Sequence, residues 1–368
     1  MSLALGRGVL IAAVLWLLVL ALPSLQTGGP EGVWEAAKQQ QSLRYLFWIG
    51  VVLIFATAAS WVFRELLRRT MPEVIAKPMR QAPLTAAFGL MIILVYVVVA
   101  VGASVIAPYG EAEIFTDINV LPGGDPELGG DPNHLLGTDQ IGRDILSRLI
   151  YGARNTVGIA FLTTVLSFLL GVTFGFLAAT LGGWLDQVFS RGVDVLMAIP
   201  QLIFALLLMT IASEWSYRSG ISLTWFMIVI IAVLDSTRVF RLARAVGLNI
   251  VVMDYIEAAK VRGETLLHIV FREILPNAFS PLLAEFGLRF CFVFLTIASL
   301  SFLGIGIQPP LADWGTMVRD LSQFINFAAY DPLTAALPLM AAGAIALLTV
   351  AVNFVVDWML QNTSGLKE

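Results

Sequence analysis

Residues 84–107 read LTAAFGLMIILVYVVVAVGASVIA, without one charged side chain. An α-helix needs about 20 consecutive apolar residues to cross a hydrocarbon core about 30 Å thick, so this stretch is long enough to span a bilayer. Its apolar residues are continuous rather than alternating, and it is roughly twice the length of a barrel strand, which excludes a transmembrane β-barrel. Moving outward in windows of about 19 residues, further apolar stretches lie near 9–25, 45–63, 154–181, 191–213, 222–242, 281–303 and 334–357. The eight spans predict an all-α fold, a polytopic helical membrane protein.

The composition excludes other classes. Of 368 residues, 58% are hydrophobic and 13% charged, against about 45–50% and about 25% in soluble domains. The net charge of −4 and the lack of a basic stripe give no reason to expect nucleic acid. Cys291, the single cysteine, lies in an apolar stretch, so neither an intrachain disulfide framework nor a thiolate metal cluster is expected. His134 and His268, the two histidines, fall in different loops, which disfavours a zinc site or a Ser-His-Asp arrangement. No metal site is expected.

The first span also resembles a secretory leader, since Arg7 precedes the apolar run from Val9 to Leu22. No A-x-A-like site follows, and an uncleaved helix is the favoured reading. Orientation follows from lysines and arginines. With a cytoplasmic N-terminus, fourteen of the 22 lie inside, among them Arg64, Arg68, Arg69, Lys77, Arg80, Arg191, Arg238, Arg241, Arg244, Lys260, Arg262 and Arg272. Seven lie outside, and Arg289 falls within a span. Both termini are therefore read as cytoplasmic, and the 107–153 loop and 304–333 as outer segments that meet an extracytoplasmic partner. A boundary at about 80 divides a two-helix extension, residues 1–80, with a basic segment at its end, from a six-helix unit, residues 81–368.

The loop at 238–280 is more ordered in pattern than a connector requires. Tyr255–Val261 reads as a short helix with Ala258 and Ala259 giving a closely approachable face, and Gly263 supplies the freedom to end it. From Glu264 to Ile274, Leu267, Val270, Phe271 and Ile274 recur at helical spacing while Glu264, His268 and Arg272 line another face. Pro276, lacking a backbone donor, is expected to separate this pair from the span beginning near Pro281. On pattern alone a basic interfacial helix pair that rests on lipid headgroups fits equally.

A resemblance sharpens the reading. Glu257-Ala258-Ala259, Gly263 and Glu273-Ile274-Leu275-Pro276 match, position for position, the E-A-A-x3-G-x9-x-I-L-P pattern of bacterial ABC-transporter permeases. The run from His134 to Arg154, with Gly137, Thr138, Asp139, Gly142, Arg143 and Asp144, resembles the outer segment of the dipeptide/oligopeptide/nickel permease family. So do Leu300–Pro310 and Asp313-Trp314-Gly315-Thr316-Met317. The resemblance covers about 81–368 and departs at the N-terminus, where such permeases usually have one helix before the outer loop.

It implies a type I ABC importer-like core and the second permease of a heterodimeric pair. Glu257, Ala258, Ala259, Gly263 and Pro276 would then form the element that couples the membrane helices to an ATPase. It also implies a homologous second permease, two ATP-binding cassette subunits, an extracytoplasmic binding protein and residence in the bacterial inner membrane. The four lysines, Lys38, Lys77, Lys260 and Lys367, lie in no G-x-x-x-x-G-K-[ST] loop, so ATP and Mg belong to partner chains and this chain has no cofactor of its own.

Glu285 and Arg289, spaced i, i+4 within a span and one to two turns from its cytoplasmic end, read as an intramembrane ion pair or a gating element. Asp194 and Asp235 are expected to have a solvated or capping role near span ends rather than to act in a relay, and Gly123–Gly130 to be a flexible loop. The leading function is a permease of an ATP-driven importer for peptides or related solutes. An ion- or proton-coupled secondary transporter is the alternative, and a membrane enzyme is weaker, for want of a metal or nucleophile constellation.

Overall fold

The computed structural model describes residues 30–328 and 331–363. The expected first span at 9–25 lies outside them. The helices are α1 (Pro30–Thr70), α2 (Glu73–Gln81), α3 (Leu84–Ile106), α4 (Ile145–Leu181), α5 (Gly183–Met197), α6 (Gln201–Ser219), α7 (Leu223–Val251), α8 (Asp254–Val261), α9 (Leu266–Phe302), α10 (Trp314–Leu321) and α11 (Pro332–Thr363). No strand forms among the described residues, only isolated bridges such as Thr138 to Asp144. Among the described residues, six helices are long and apolar enough to cross a membrane: α1 from Ile49 onward, α3, α4, α7, α9 and α11.

The expected span at 191–213 is a bent pair. α5 ends at Met197 and α6 starts at Gln201, inclined by 90° to it. Pro200 fixes its own φ and pushes Ile199 toward extended backbone, so the chain turns a corner although its apolar run is unbroken. α5 has no buried residue, and Asp186 and Asp194 on it pair with Arg244 and Arg241 of α7. Asp194 is exposed.

The residues up to 91 and those from 92 onward form two units. In the first, Arg64 of α1 donates from Nη1 to the carbonyl of Ala82 at 3.1 Å, and Glu65 pairs with Arg68 and Arg69 on the following turn.

In the second, α4 and α7 are the closest pair. A Cβ added at Gly171 would lie 2.5 Å from Val239 Cβ, and one at Gly175 would lie 2.7 Å from Ala243 Cβ. Gly247 in turn meets Ala179 Cβ at 2.9 Å from its own added Cβ. The matched positions advance by four in the same sense on both helices, so the two run parallel. Lipid gives apolar helices no drive to associate, and small residues substitute for it by letting backbones approach until dispersion contacts accumulate.

α9 packs across this pair and against α11. It is one helix from Leu266 to Phe302, and Pro276 does not separate two elements as expected. A wider π turn over Ile269–Ile274 precedes the proline, and such a turn shifts the hydrogen-bond ladder where a ring removes a donor. The 254–276 loop thus sits at the end of the unit where α7 finishes and α9 begins. The 107–144 and 303–328 segments sit at the opposite end, where α4 begins and α9 finishes.

Candidate functional site

The 254–276 loop is anchored on one side and bare on the other. α8 buries Ile256 and Ala259 in a cluster with Phe176 of α4, Ala243 and Ile250 of α7, and Ile269, Val270 and Ile274. Glu257, Ala258 and Lys260 are exposed, as are Tyr255 and Val261. Gly263 closes the helix at φ +78°, with open space where a Cβ would stand. Its requirement is conformational, since that left-handed region is costly for other residues. Thr265 then caps the start of α9, accepting from His268 N at 3.3 Å. Arg262 reaches Glu264 at 3.8 Å and Glu273 at 3.9 Å across the turn. Pro276 is exposed in the first turn beyond the π segment. The apolar face differs from the expected one: Val270 and Ile274 are buried together with Ile269, whereas Leu267 and Phe271 point outward. The π turn rotates the face away from ordinary helical spacing.

At the opposite end the family-like motifs fold onto one another. Gly137 and Gly142 have φ +76° and +86°, and a Cβ on either would fall within 2.2 Å of a carbonyl oxygen, that of Val120 and that of Phe115. Thr138 donates from Oγ1 to Asp117 O at 2.7 Å and accepts from Val120 N at 3.1 Å. Asp139 accepts from the amides of Ile141 and Arg143 and from Arg143 Nε at 2.7 Å. Asp144 caps the start of α4 by accepting from Ser147 N at 2.7 Å, while its other oxygen lies 3.0 Å from His134 Nδ1. His134 packs against Tyr109 and Phe115, which also meet each other edge to face. Gly123–Gly130 is an ordered turn, with Asp125 capping a short 3-10 helix and Gly130 N donating to Asp125 O at 2.8 Å.

The 303–328 segment closes over this base. Asp313, fully buried, caps α10 by accepting from the amides of Gly315 and Thr316. Burial holds its carboxyl above the usual carboxylate range, against hydrogen bonds from Thr316 and Gly315 that pull it down. Trp314 donates from Nε1 to Leu149 O at 2.9 Å and its amide donates to Thr156 Oγ1 at 3.2 Å. Glu111 accepts from Ala312 N and Asn155 Nδ2, joining three segments at one carboxylate. Glu111 and Asn155 gave no sequence signal, because their partners are distant along the chain.

A third group lies at mid-helix. Glu285 Oε1 is 2.7 Å from Arg289 Nε, and Arg289 also stacks over the Phe292 ring at 4.6 Å. α9 extends well before Pro281, so the pair stands near its middle rather than by an end. Asp235 corrects the expectation of a solvated position: it is fully buried, accepts from Ser167 Oγ of α4 at 3.1 Å and lies 3.8 Å from Arg289 Nη1. The hydropathy window ends near 242, but α7 continues to Val251. The uninterrupted apolar run on its N-terminal side, Ile228–Leu234, was the available signal.

The model for binding-protein-dependent transport system inner membrane components matches residues 171–364, more than half of the chain. The chain belongs to that family. Over 267 residues this permease is 36% identical to the dipeptide transport system permease protein DppC of Escherichia coli, covering 70% of this chain and 86% of the relative. Its identity to the Haemophilus influenzae protein of the same description is 35% over 243 residues, 66% of this chain and 79% of that one. The glutathione transport system permease protein GsiD of Pectobacterium atrosepticum is 32% identical over 258 residues, 70% of this chain and 78% of the relative. The family resolves the two transport readings: the chain is the multi-pass permease subunit of an inner-membrane ABC importer, not a secondary transporter.

Proposed function

We propose that this permease forms half of a translocation pathway for peptides, powered by ATP that partner chains hydrolyse with Mg. The relatives named above carry dipeptides or glutathione by their descriptions, and peptide chemistry is what they share. A homologous second permease supplies the other half, two ATPase subunits sit on the cytoplasmic side, and an extracytoplasmic binding protein delivers the solute. This chain contributes shape and linkage rather than catalysis.

The observation that carries the coupling role is the two-sided packing of α8. Ile256 and Ala259 fix the helix to α4, α7 and the base of α9, while Glu257 and Ala258 face away. A small residue beside an acid suits insertion into a groove with a basic rim, and the anchored face converts a push on α8 into movement of α9. Pro276 and the π turn lie along that line of force. Gly137, Thr138, Asp139, Gly142, Arg143 and Asp144 shape the surface offered to the binding protein. Both termini are cytoplasmic in this reading, and residues 1–80 are an extension added to the 81–368 transport core.

Glu257→Lys and Gly263→Pro test it in the assembled importer. The first reverses the charge offered to the ATPase, and like-charge juxtaposition at an interface costs several kcal/mol. The second removes the left-handed residue and so misaligns α8 with α9. Dipeptide uptake should fall at least tenfold in both while the chain stays inserted at normal abundance. Normal uptake in both would withdraw the coupling assignment.

A further inference from the structure

Asp235 and Arg289 face each other across the α7–α9 seam without completing a bond. Asp235 is the thirteenth residue of α7 and Arg289 lies thirteen before the end of α9, so both are about 20 Å from the α10 end. Asp235 Oδ2 is taken by Ser167, whereas Oδ1 has no hydrogen bond; Arg289 Nη1, 3.8 Å away, has none either. Arg289 Nε is close to Glu285 but is not aligned for a hydrogen bond. Two carboxylates thus compete for one guanidinium. Arg238, the other nearby cation, stands 5.9 Å from the centre of the Phe292 ring. A buried charge without a full partner is costly, so the arrangement needs a reason beyond packing.

We propose that Asp235 is a positioning residue of the transport cycle: Arg289 is shared between Glu285 on its own helix and Asp235 on α7, and the exchange holds α9 in one of two positions. This rests on the coupling role assigned to α8. The Glu285–Arg289 contact lies within one helix, so its backbone spacing is the same wherever that helix stands and Glu285 can take Arg289 in either position. The Asp235–Arg289 distance depends on where α9 stands against the tightly packed α4–α7 pair. α9 is continuous from the loop to Arg289, so a displacement at Leu266 reaches the seam. Closing 3.8 Å to hydrogen-bond length takes about 1 Å, within the 1–2 Å helix shifts by which interfaces switch. Closure of the Asp235 contact accompanies closure of the ATPase subunits.

The test measures basal ATP hydrolysis by the complete importer in nanodiscs, with ATP as the only added ligand. Glu285→Gln releases Arg289 to Asp235 and should raise the rate about fivefold, the lower range of allosteric couplings. Asp235→Asn should lower it by a similar factor, and the double variant should follow Asp235→Asn, because release of Arg289 is useless without its acceptor. Where Asp235→Asn does not assemble, Asp235→Glu replaces it and should raise the rate, since it extends the acid toward Arg289. A purely structural ion pair would shift both single variants in the same direction. That result, unchanged rates, or a double variant that keeps the Glu285→Gln rate would overturn the proposal. Glu257→Lys in the same nanodiscs separates the two ideas: unaltered hydrolysis and uptake there would withdraw the coupling role, while the sign pattern at 235 and 285 is read on its own.

Discussion

Asp313 shows how one side chain organises a polar end without being exposed to solvent. Its carboxylate accepts from two amides and the Thr316 hydroxyl, and burial raises its pKa, so the charge is unwelcome while the acceptor geometry is needed. Asp313→Asn keeps the acceptor and drops the charge, and Asn caps helices as well as Asp does. Asp313→Ala leaves buried donors unpaired, at a cost of about 1–3 kcal/mol. In detergent the Asn variant should therefore keep a melting temperature close to the parent and the Ala variant should fall well below it. Equal losses would show that the charge itself is required. Gly142 is limited by backbone rather than by charge: alanine there adds about 1–2 kcal/mol of left-handed strain and a clash with the Phe115 carbonyl. Neither effect is legible from composition. The motif at 134–144 names residues that fold onto one another, but the turns they build depend on contacts with Phe115, Asp117 and Val120, distant along the chain.

Among elements, the membrane spans within the described residues were legible because the bilayer imposes one length and one polarity on every crossing. The errors have local causes. Pro200 breaks an apolar run that hydropathy treats as one span, and a π turn carries α9 through Pro276, where a proline usually ends a helix. Asp235 reads as close to a span end because the apolar window stops near 242, whereas α7 continues to Val251. The α4–α7 contact rests on residues whose importance is their small size. Gly171→Leu would drive a side chain into Val239 and the Ser236 carbonyl, and overpacking typically costs about 1–3 kcal/mol. The variant should insert normally but lose heat stability and uptake together, as read from monodisperse protein after heating beside dipeptide uptake. Stability equal to the parent would mean that the helices separate more freely than their packing implies.

For the whole molecule, fourteen cations assigned inside against seven outside are the ground for our proposal that the 254–276 loop faces the cytoplasm. The structure places positions 125 and 260 at opposite ends of the helical unit and exposes both. With Cys291→Ala as background, Asp125→Cys should react with a membrane-impermeant maleimide in cells whose outer membrane has been made permeable. Lys260→Cys should react only after the inner membrane is opened. The reverse pattern would invert the topology and detach the loop from any cytoplasmic ATPase.

The most direct test of coupling is a cysteine crosslink from Ala258→Cys to the ATPase subunit in the assembled importer, followed with and without ATP and vanadate. Ala258 is exposed beside Glu257 while its neighbour Ala259 is buried. A crosslink to the ATPase should therefore form from position 258, change in yield with nucleotide, and be absent from Ala259→Cys. No ATPase adduct from position 258 in either nucleotide state, in an importer that still transports dipeptide, would contradict the account.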